Sequence, residues 1–407
     1  MEKSYDIIII GGGLVGASLA VCLQNTPLRV ALVETVPWEQ TDLSPSYDDK
    51  VLALSYSSHR IFDAIGLWQQ IAPYTVPIKD IHVSDQHQFG VTRLSHRTLE
   101  IPALGYVIRA RHLGKILQNA LSRTKTTVFS PAFPTQLTVH NTSAEIAIHL
   151  HEQVQMLNTH LLVAADGAQS KVRQYAGLNL KEHDYQQDAL IANVTLQYHH
   201  QHIAYERFTV NGPMALLPLT NQDCSLIWTV KRVDTQRLLM LSEQDFLQAI
   251  QQQFGWRLGR FTRVGQRQAY PLHLLQVPEP ICSRVVIIGN AAHTLHPIAG
   301  QGFNLGLRDV AHLAEVVSEV QQVGQDIGTL ETLKQYVARQ QPDQKRVTYL
   351  TDTLVNVFSN AFPPLVMARN LGLLLTDILP PVKKSLMLQM TGLKGHPSRL
   401  VRGLPLR

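Results

Sequence analysis

Residues 7–23 are almost entirely apolar, broken only by Gly11, Gly12, Gly13, Gly16 and Ser18. A secretory signal or membrane anchor would account for such a run. Against this, the stretch is 17 residues long, Asp6 precedes it, and Lys3 alone supplies a basic flank. The glycine triplet would also weaken a continuous helix. The pattern makes better sense as three elements. Residues 5–10 (YDIIII) form a strand without polar alternation, as expected when both faces are covered. The glycines then make a turn, and residues 14–23 form a helix that stops at Thr26-Pro27. Residues 28–33 (LRVALV) form a second buried strand, which closes on Glu34.

The buried-strand pattern recurs at 161–165 and 284–288, and after the second Leu307, Val310, Ala311, Ala314 and Val317 repeat at helical spacing. Residues 181–280 lose this strand–helix rhythm. There 189–196, 204–210, 214–219 and 225–230 read as strands, with turns at 211–213 and 221–223. The stretch 81–105 is expected to join the same mostly antiparallel layer. Near the end, 365–379 (LVMARNLGLLLTDIL) is apolar on most sides and bounded by Pro363-Pro364 and Pro380-Pro381. At 15 residues it is too short to span a bilayer. It reads as a core-docked helix, a partner face or an interfacial helix.

Composition narrows the classes. The chain has 407 residues, 45% apolar and 16% charged, which suits a large folded core and excludes a disordered or collagen-like chain. Its three cysteines, Cys22, Cys224 and Cys282, are far apart and offer neither a CxxC pair nor a disulfide framework. No metal site is expected, His199, His200 and His202 reading as a solvated turn. A reducing cytoplasm fits this cysteine usage. The net charge of +5 is local: Lys383, Lys384, Lys394, Arg399, Arg402 and Arg407 follow the last acidic residue, Asp377. A basic end on a nearly neutral body raises peripheral attachment to anionic lipid. With no basic stripe interleaved with aromatics, nucleic acid is not an expected partner.

The candidate chemistry begins at the first turn. Gly11-x-Gly13-x-x-Gly16 between strand and helix is the dinucleotide-binding pattern. Gly11 allows the tight turn, Gly13 lets backbone approach a pyrophosphate, and Gly16 lets helix and strand pack closely. The helix N-terminus offers free N–H groups to the phosphates. Glu34, at the end of the second strand, is placed to accept hydrogen bonds from an adenosine ribose. NAD and FAD share this first motif.

Two later segments point to FAD. Asp166-Gly167-Ala168-Gln169-Ser170-Lys171-Val172-Arg173 resembles the DGxxSxxR motif of flavoprotein aromatic hydroxylases. Residues 289–304 (GNAAHTLHPIAGQGFN) resemble their GDAAHxxxPxxGxGxN motif. The resemblance implies an α/β fold: a Rossmann-like FAD-binding domain, an inserted mostly antiparallel β-sheet substrate domain, and a C-terminal helical segment. The corresponding pieces are 1–80, 106–180 and 280–345 for FAD, 81–105 and 181–279 for substrate, and 346–407 for the helical, basic end. It further implies that Asp166, Asn290, Pro297, Gly300, Gly302 and Asn304 attend the cofactor, with a helix N-terminus near Asn304 directed at the isoalloxazine ring. Two departures are visible. Asn290 stands for the motif's aspartate, and Lys50 stands for arginine in a segment resembling DxRxxALS. Lysine cannot reproduce a planar bidentate contact. Arg111 matches the arginine that opens the family's helix on the pyrophosphate side.

No second GxGxxG occurs, so NAD(P)H is expected as a transient co-substrate without its own Rossmann domain. Residues 204–209 (AYERFT), 217–219, 224–228, 254–259 (FGWRLG) and 369–372 resemble the ubiquinone-biosynthesis hydroxylases. That resemblance implies hydroxylation of a polyprenylated methoxyphenol with O2 and NAD(P)H through a flavin hydroperoxide, and contact with other ubiquinone-biosynthesis proteins. Hydroxylation at another ring position, a prenyl-chain reductase and a non-catalytic prenyl-binding protein are the alternatives. No catalytic residue is assigned: Tyr205 and Arg207 are candidates on a roof strand, while His293 and His296 read as loop-packing residues.

Overall fold

The computed structural model describes residues 3–37, 49–358, 360 and 362–406. Arg407, counted above in the basic end, lies outside them. The first strand, Lys3–Ile10, shows why its sequence lacks alternation. Ile7 and Ile9 enter one buried cluster and Ile8 and Ile10 another, so both faces are covered. It pairs in parallel with Val30–Val33 on one side and Gln153–Ala164 on the other. Thr127–Phe129 and Val285–Ile287 extend the parallel sheet outward. The resulting order is that of a doubly wound nucleotide-binding sheet. A meander of Ala132–Val139 and Ala144–Leu150 folds back antiparallel on the start of Gln153–Ala164. The helices Leu14–Cys22 and Gln301–Gln322 cover one face.

A second sheet forms the roof. Its order is Val91–Ser95, Asp80–Asp85, Ile203–Thr209, Gly212–Pro218, Asp223–Lys231, Lys181–Leu196, Gln268–Gln276 and His293–Thr294, with Phe261–Val264 also on Lys181–Leu196. All pairs are antiparallel except Ile203–Thr209 with Asp80–Asp85. The expected FAD-binding and substrate-sheet architecture is present. Two details differ from the sequence expectation. Residues 96–105 leave the roof, and Gly105–Arg109 instead joins a small sheet with Val51–Ser55 and Thr75–Ile78. His293–Thr294, inside the third motif, pairs with the roof strand Gln268–Gln276 and so stitches cofactor loop to roof.

Two helices interrupt the middle region, Arg232–Leu239 and Glu243–Phe254. Ser242 caps the second by accepting from the Asp245 N–H. Their apolar faces, including Leu238, Phe246 and Ile250, cover the outer side of the roof.

The C-terminal part is helical. Leu330–Phe358 is followed by Pro363–Ile378 and Pro380–Met390, the last two meeting at 96°. Among the described residues no single helix is long and apolar enough to cross a membrane. Asp85 ties these helices to the roof. Its carboxylate accepts from Arg369 Nε at 2.8 Å and Asn370 Nδ2 at 2.9 Å, while Asn370 Oδ1 accepts from the Gly90 N–H at 2.8 Å.

Candidate active site

The first two motifs meet directly. Gly11 has φ +100°, and a Cβ there would lie 2.5 Å from the Ala165 carbonyl oxygen, just before Asp166. A Cβ on Gly16 would collide with the Gly11 carbonyl, so helix and strand touch through bare backbone. Gly13, the N-cap of Leu14–Cys22, faces open space: a Cβ there would find nothing within 4 Å. Glu34 is fixed by the Gly12 N–H on Oε2 at 2.6 Å and the Val36 N–H on Oε1 at 2.8 Å.

Gly11, Gly13, Glu34, Asp166 and Gly167 line one cleft of about 670 Å³. Close-packed glycines around one open glycine at a helix N-terminus, with a carboxylate at the next strand end, make a cradle that fits a dinucleotide pyrophosphate and its ribose.

Asp166 turns one oxygen to the Lys171 and Val172 N–H groups, at 2.8 and 3.3 Å, and its other oxygen is buried without a partner among the described residues. Arg173, buried, donates to the Ala291 and Ala168 carbonyls, both at 2.8 Å. It therefore fastens the second motif to the third. The sequence displays this arginine as the last letter of its motif, but nothing local reveals what it holds.

In the third motif Gly289 has φ +59° and Asn290 is exposed, free to meet a ligand. Pro297 leads a short turn to Gly300, also at φ +59°, where a Cβ would approach the Ala53 Cβ to 3.0 Å. Gly302 opens on free space.

Asn304 behaves differently from the expectation of a direct cofactor contact. It is buried, and its Oδ1 accepts from the Ser55 N–H at 2.8 Å and Ser58 Oγ at 2.7 Å. Its Nδ2 donates to the Ala53 and Gly300 carbonyls at 2.8 and 2.7 Å. With both amide N–H groups spent internally, it clamps the glycine loop to the strand Val51–Ser55.

Arg111 opens the helix Ala110–Leu121, where Asp49 bridges it to Arg109 at 2.9 and 2.7 Å. Lys50 does not line the dinucleotide cleft. Its ammonium lies 5.3 Å from the ring centre of Tyr270, on the roof.

Behind the third motif a buried network forms around Asp309. Its Oδ2 accepts from His293 Nε2 at 2.6 Å and from the Gly289 N–H at 2.9 Å, and its Oδ1 accepts from Gln340 and Gln344. Burial alone would raise this carboxyl, but the His293 charge and these donors outweigh it and hold it below its ordinary value. His296 is fully buried against the Tyr185 ring, and burial lowers it to about 4, so it stays neutral.

A second cavity, about 380 Å³, lies between the roof and the C-terminal helices. Ala53, Ile298 and Gln301 of the loops just described form part of its wall. Elsewhere the wall is oily, with Val83, Phe208, Leu354, Phe358, Leu373 and Met390. Tyr205, Glu206 and Arg369 are its ionisable wall residues.

A protein family described as "FAD binding domain" matches residues 4–351. The chain belongs to this family of FAD-dependent aromatic hydroxylases. The enzyme is 34% identical over 411 residues to the ubiquinone hydroxylase UbiL of Rhodospirillum rubrum, covering 100% of this chain and 94% of the relative. It is 29% identical over 404 residues to 3-demethoxyubiquinol 3-hydroxylase of Escherichia coli K12, covering 96% and 100%. Among solved structures it resembles p-nitrophenol 4-monooxygenase PnpA from Pseudomonas putida, with a TM-score of 0.79 at 18% identity, covering 97% of this chain and 100% of that one. The hydroxylase is thus an FAD-dependent aromatic monooxygenase, and Ile298 and Gln301 of its third motif, with Ala53, form part of the wall of the oily cavity.

Proposed function

We propose that this monooxygenase hydroxylates the ring of a polyprenylated methoxyphenol in ubiquinone biosynthesis, using O2 and NAD(P)H. The observation that carries this reading is the oily cavity of about 380 Å³ that begins at the cofactor loops and runs beneath the C-terminal helices. A small polar phenol would leave that wall wetted, whereas an isoprenoid tail buries against it. The relatives named above are quinone-pathway hydroxylases, which supports the same substrate class.

FAD, when bound, supplies the reducing equivalents that activate O2 for insertion of one oxygen atom into an electron-rich ring. The chain's own residues have other tasks. The open backbone at Gly13 receives the pyrophosphate, Glu34 the adenosine ribose, and Asn290 offers an amide to the rest of the cofactor. Arg173 fastens the second motif to the third, and Asn304 clamps the third motif's glycine loop to the strand Val51–Ser55. The cavity wall excludes water and aligns the ring with the loop at Gly300 to Gly302.

Delivery of so apolar a substrate fits attachment to the inner face of a membrane. The helix Pro363–Ile378 leaves Met367, Leu371, Leu375 and Ile378 exposed, next to Lys383 and Lys384. Binding to vesicles of anionic lipid should be strong at low salt and weaken as salt rises. Protein that stays in the supernatant at low salt rejects the attachment. The catalytic reading is tested by NAD(P)H oxidation with and without a short-chain prenylated methoxyphenol under labelled O2. A product lacking the label refutes hydroxylation.

A further inference from the structure

The strand Ile203–Thr209 presents its side chains alternately to two environments. The Tyr205 ring packs 5.7 Å from the Phe254 ring, in the cluster with Phe246 and Ile250, while the residue also borders the cavity. Ala204, Glu206 and Phe208 lie on the opposite set of positions and reach the apolar cavity. The cross-strand neighbours of Glu206 are Val83 and Ala215, neither of them polar. Its carboxyl has no hydrogen bond or ion pair among the described residues, yet it keeps contact with the cavity space. A lone carboxyl in an oily chamber costs stability that a leucine would not. Its place on the wall shared with the cofactor loops gives it a use.

We propose that Glu206 binds the ring hydroxyl of the phenolic substrate and accepts its proton as the ring is hydroxylated. This rests on the reading of the cavity as a prenylated-phenol site. In the step, the phenol O–H bond breaks and its electron pair stays on the phenolate oxygen. The proton forms a new O–H bond with a Glu206 carboxylate oxygen. The phenolate is the more electron-rich ring, and so the better acceptor of an electrophilic oxygen atom.

The surroundings suit this role. Burial pushes the carboxyl up to about 8. Phenols ionise near ~10 and an ordinary glutamate near ~4.3, so burial brings donor and acceptor close to matched. Other charges do not intrude. Arg369 on the helix Pro363–Ile378 is held by Asp85 at 2.8 Å, and Tyr205, which also borders the cavity, packs its ring 5.7 Å from that of Phe254. The wall segments of Leu330–Phe358 and Pro380–Met390 bring no ionisable side chain. The sequence points to Tyr205 and Arg207, the two neighbours of the residue that the sheet turns inward.

The test compares wild-type and E206Q holoenzyme, matched for FAD content, on a short-chain prenylated methoxyphenol across pH 6 to 9.5 (roughly the range that brackets the group). Wild-type kcat/KM should fall about tenfold per pH unit below about 8. In E206Q that acid limb should vanish, and kcat/KM at the alkaline end should drop at least ~100-fold. Phenol affinity measured by calorimetry should stay within about threefold, because glutamine still hydrogen-bonds. E206Q should melt no lower than wild type, since it removes a buried ionisable group, and E206D should retain the acid limb. An E206Q enzyme with wild-type kcat/KM and an intact limb overturns the proposal. If neither form inserts labelled oxygen while both bind FAD, the substrate reading itself fails and takes the proposal with it.

Discussion

Replacing Asn304 probes the junction on which the cofactor loop depends. Its amide makes four hydrogen bonds of 2.7 to 2.8 Å in a position 1% exposed. Asn304→Ala strands the Ser55 N–H and the carbonyls of Ala53 and Gly300, while Ser58 Oγ can turn to Ser55 Oγ at 3.3 Å. Buried groups left unpaired cost roughly 1–3 kcal/mol each, so a net loss of about 3–5 kcal/mol is expected after some relaxation. For a chain of 407 residues this corresponds to about 4–6 °C in melting temperature. Asn304→Asp is the sharper variant. It preserves shape but aims a carboxylate oxygen at two carbonyls, so it should destabilise at least as much at neutral pH and recover partly in acid, where a protonated oxygen can donate. Differential scanning fluorimetry of the apoprotein, with FAD titration by fluorescence quenching, reads both effects. FAD affinity should fall at least ~10-fold in each variant, a shift of about 1.4 kcal/mol. Unchanged melting and unchanged affinity in Asn304→Ala would show that the clamp does not organise the site.

The glycines of the first turn make a paired prediction. Gly16→Ala drives a methyl into the Gly11 carbonyl, so both melting temperature and FAD affinity should fall, whereas Gly13→Ala meets open space and should melt normally while binding FAD at least ~10-fold more weakly. Equal affinity for FAD in Gly13→Ala and wild type would contradict the placement of the pyrophosphate. Asp309 makes a pH prediction. Its folded carboxyl lies below the ordinary 3.8, so its contribution is complete above that value and is lost as pH falls through the lower folded value. Asp309→Asn should remove that part of the acid transition and cost about 3 kcal/mol at neutral pH by breaking a buried pair with His293. Urea melts at pH 7 and near pH 3 on both proteins check the sign.

Much of the cofactor half is legible locally. A β-branched run, a glycine turn and an amphipathic stretch each report short-range constraints, namely two covered faces, a positive φ and a 3.6-residue period. That is why 5–34, the DG turn and the 289–304 loop are readable as strand, turn and helix in order. The sequence also displays Arg173 and Asn304 within their motifs. Local pattern does not tell a residue that touches the cofactor from one that holds its loop, because the partners of Asn304 lie near residue 55 and those of Arg173 reach to 291.

What only the tertiary structure decided is the chamber and what faces it. The helix Glu243–Phe254 escapes the sequence pattern because its glutamines blur the apolar stripe, which becomes plain only when Phe246 and Ile250 pack on the roof. The cavity wall is assembled from the strand Ile203–Thr209, the loop at Ile298 and three C-terminal helices, so no window of sequence contains it. Glu206 shows the reason most clearly. Period-two alternation says that it and Tyr205 point opposite ways, but which of them looks inward is set by register against Asp80–Asp85 and Gly212–Pro218. Sequence carries the period. Packing of distant segments chooses the phase, and the phase decides which side chain meets the substrate.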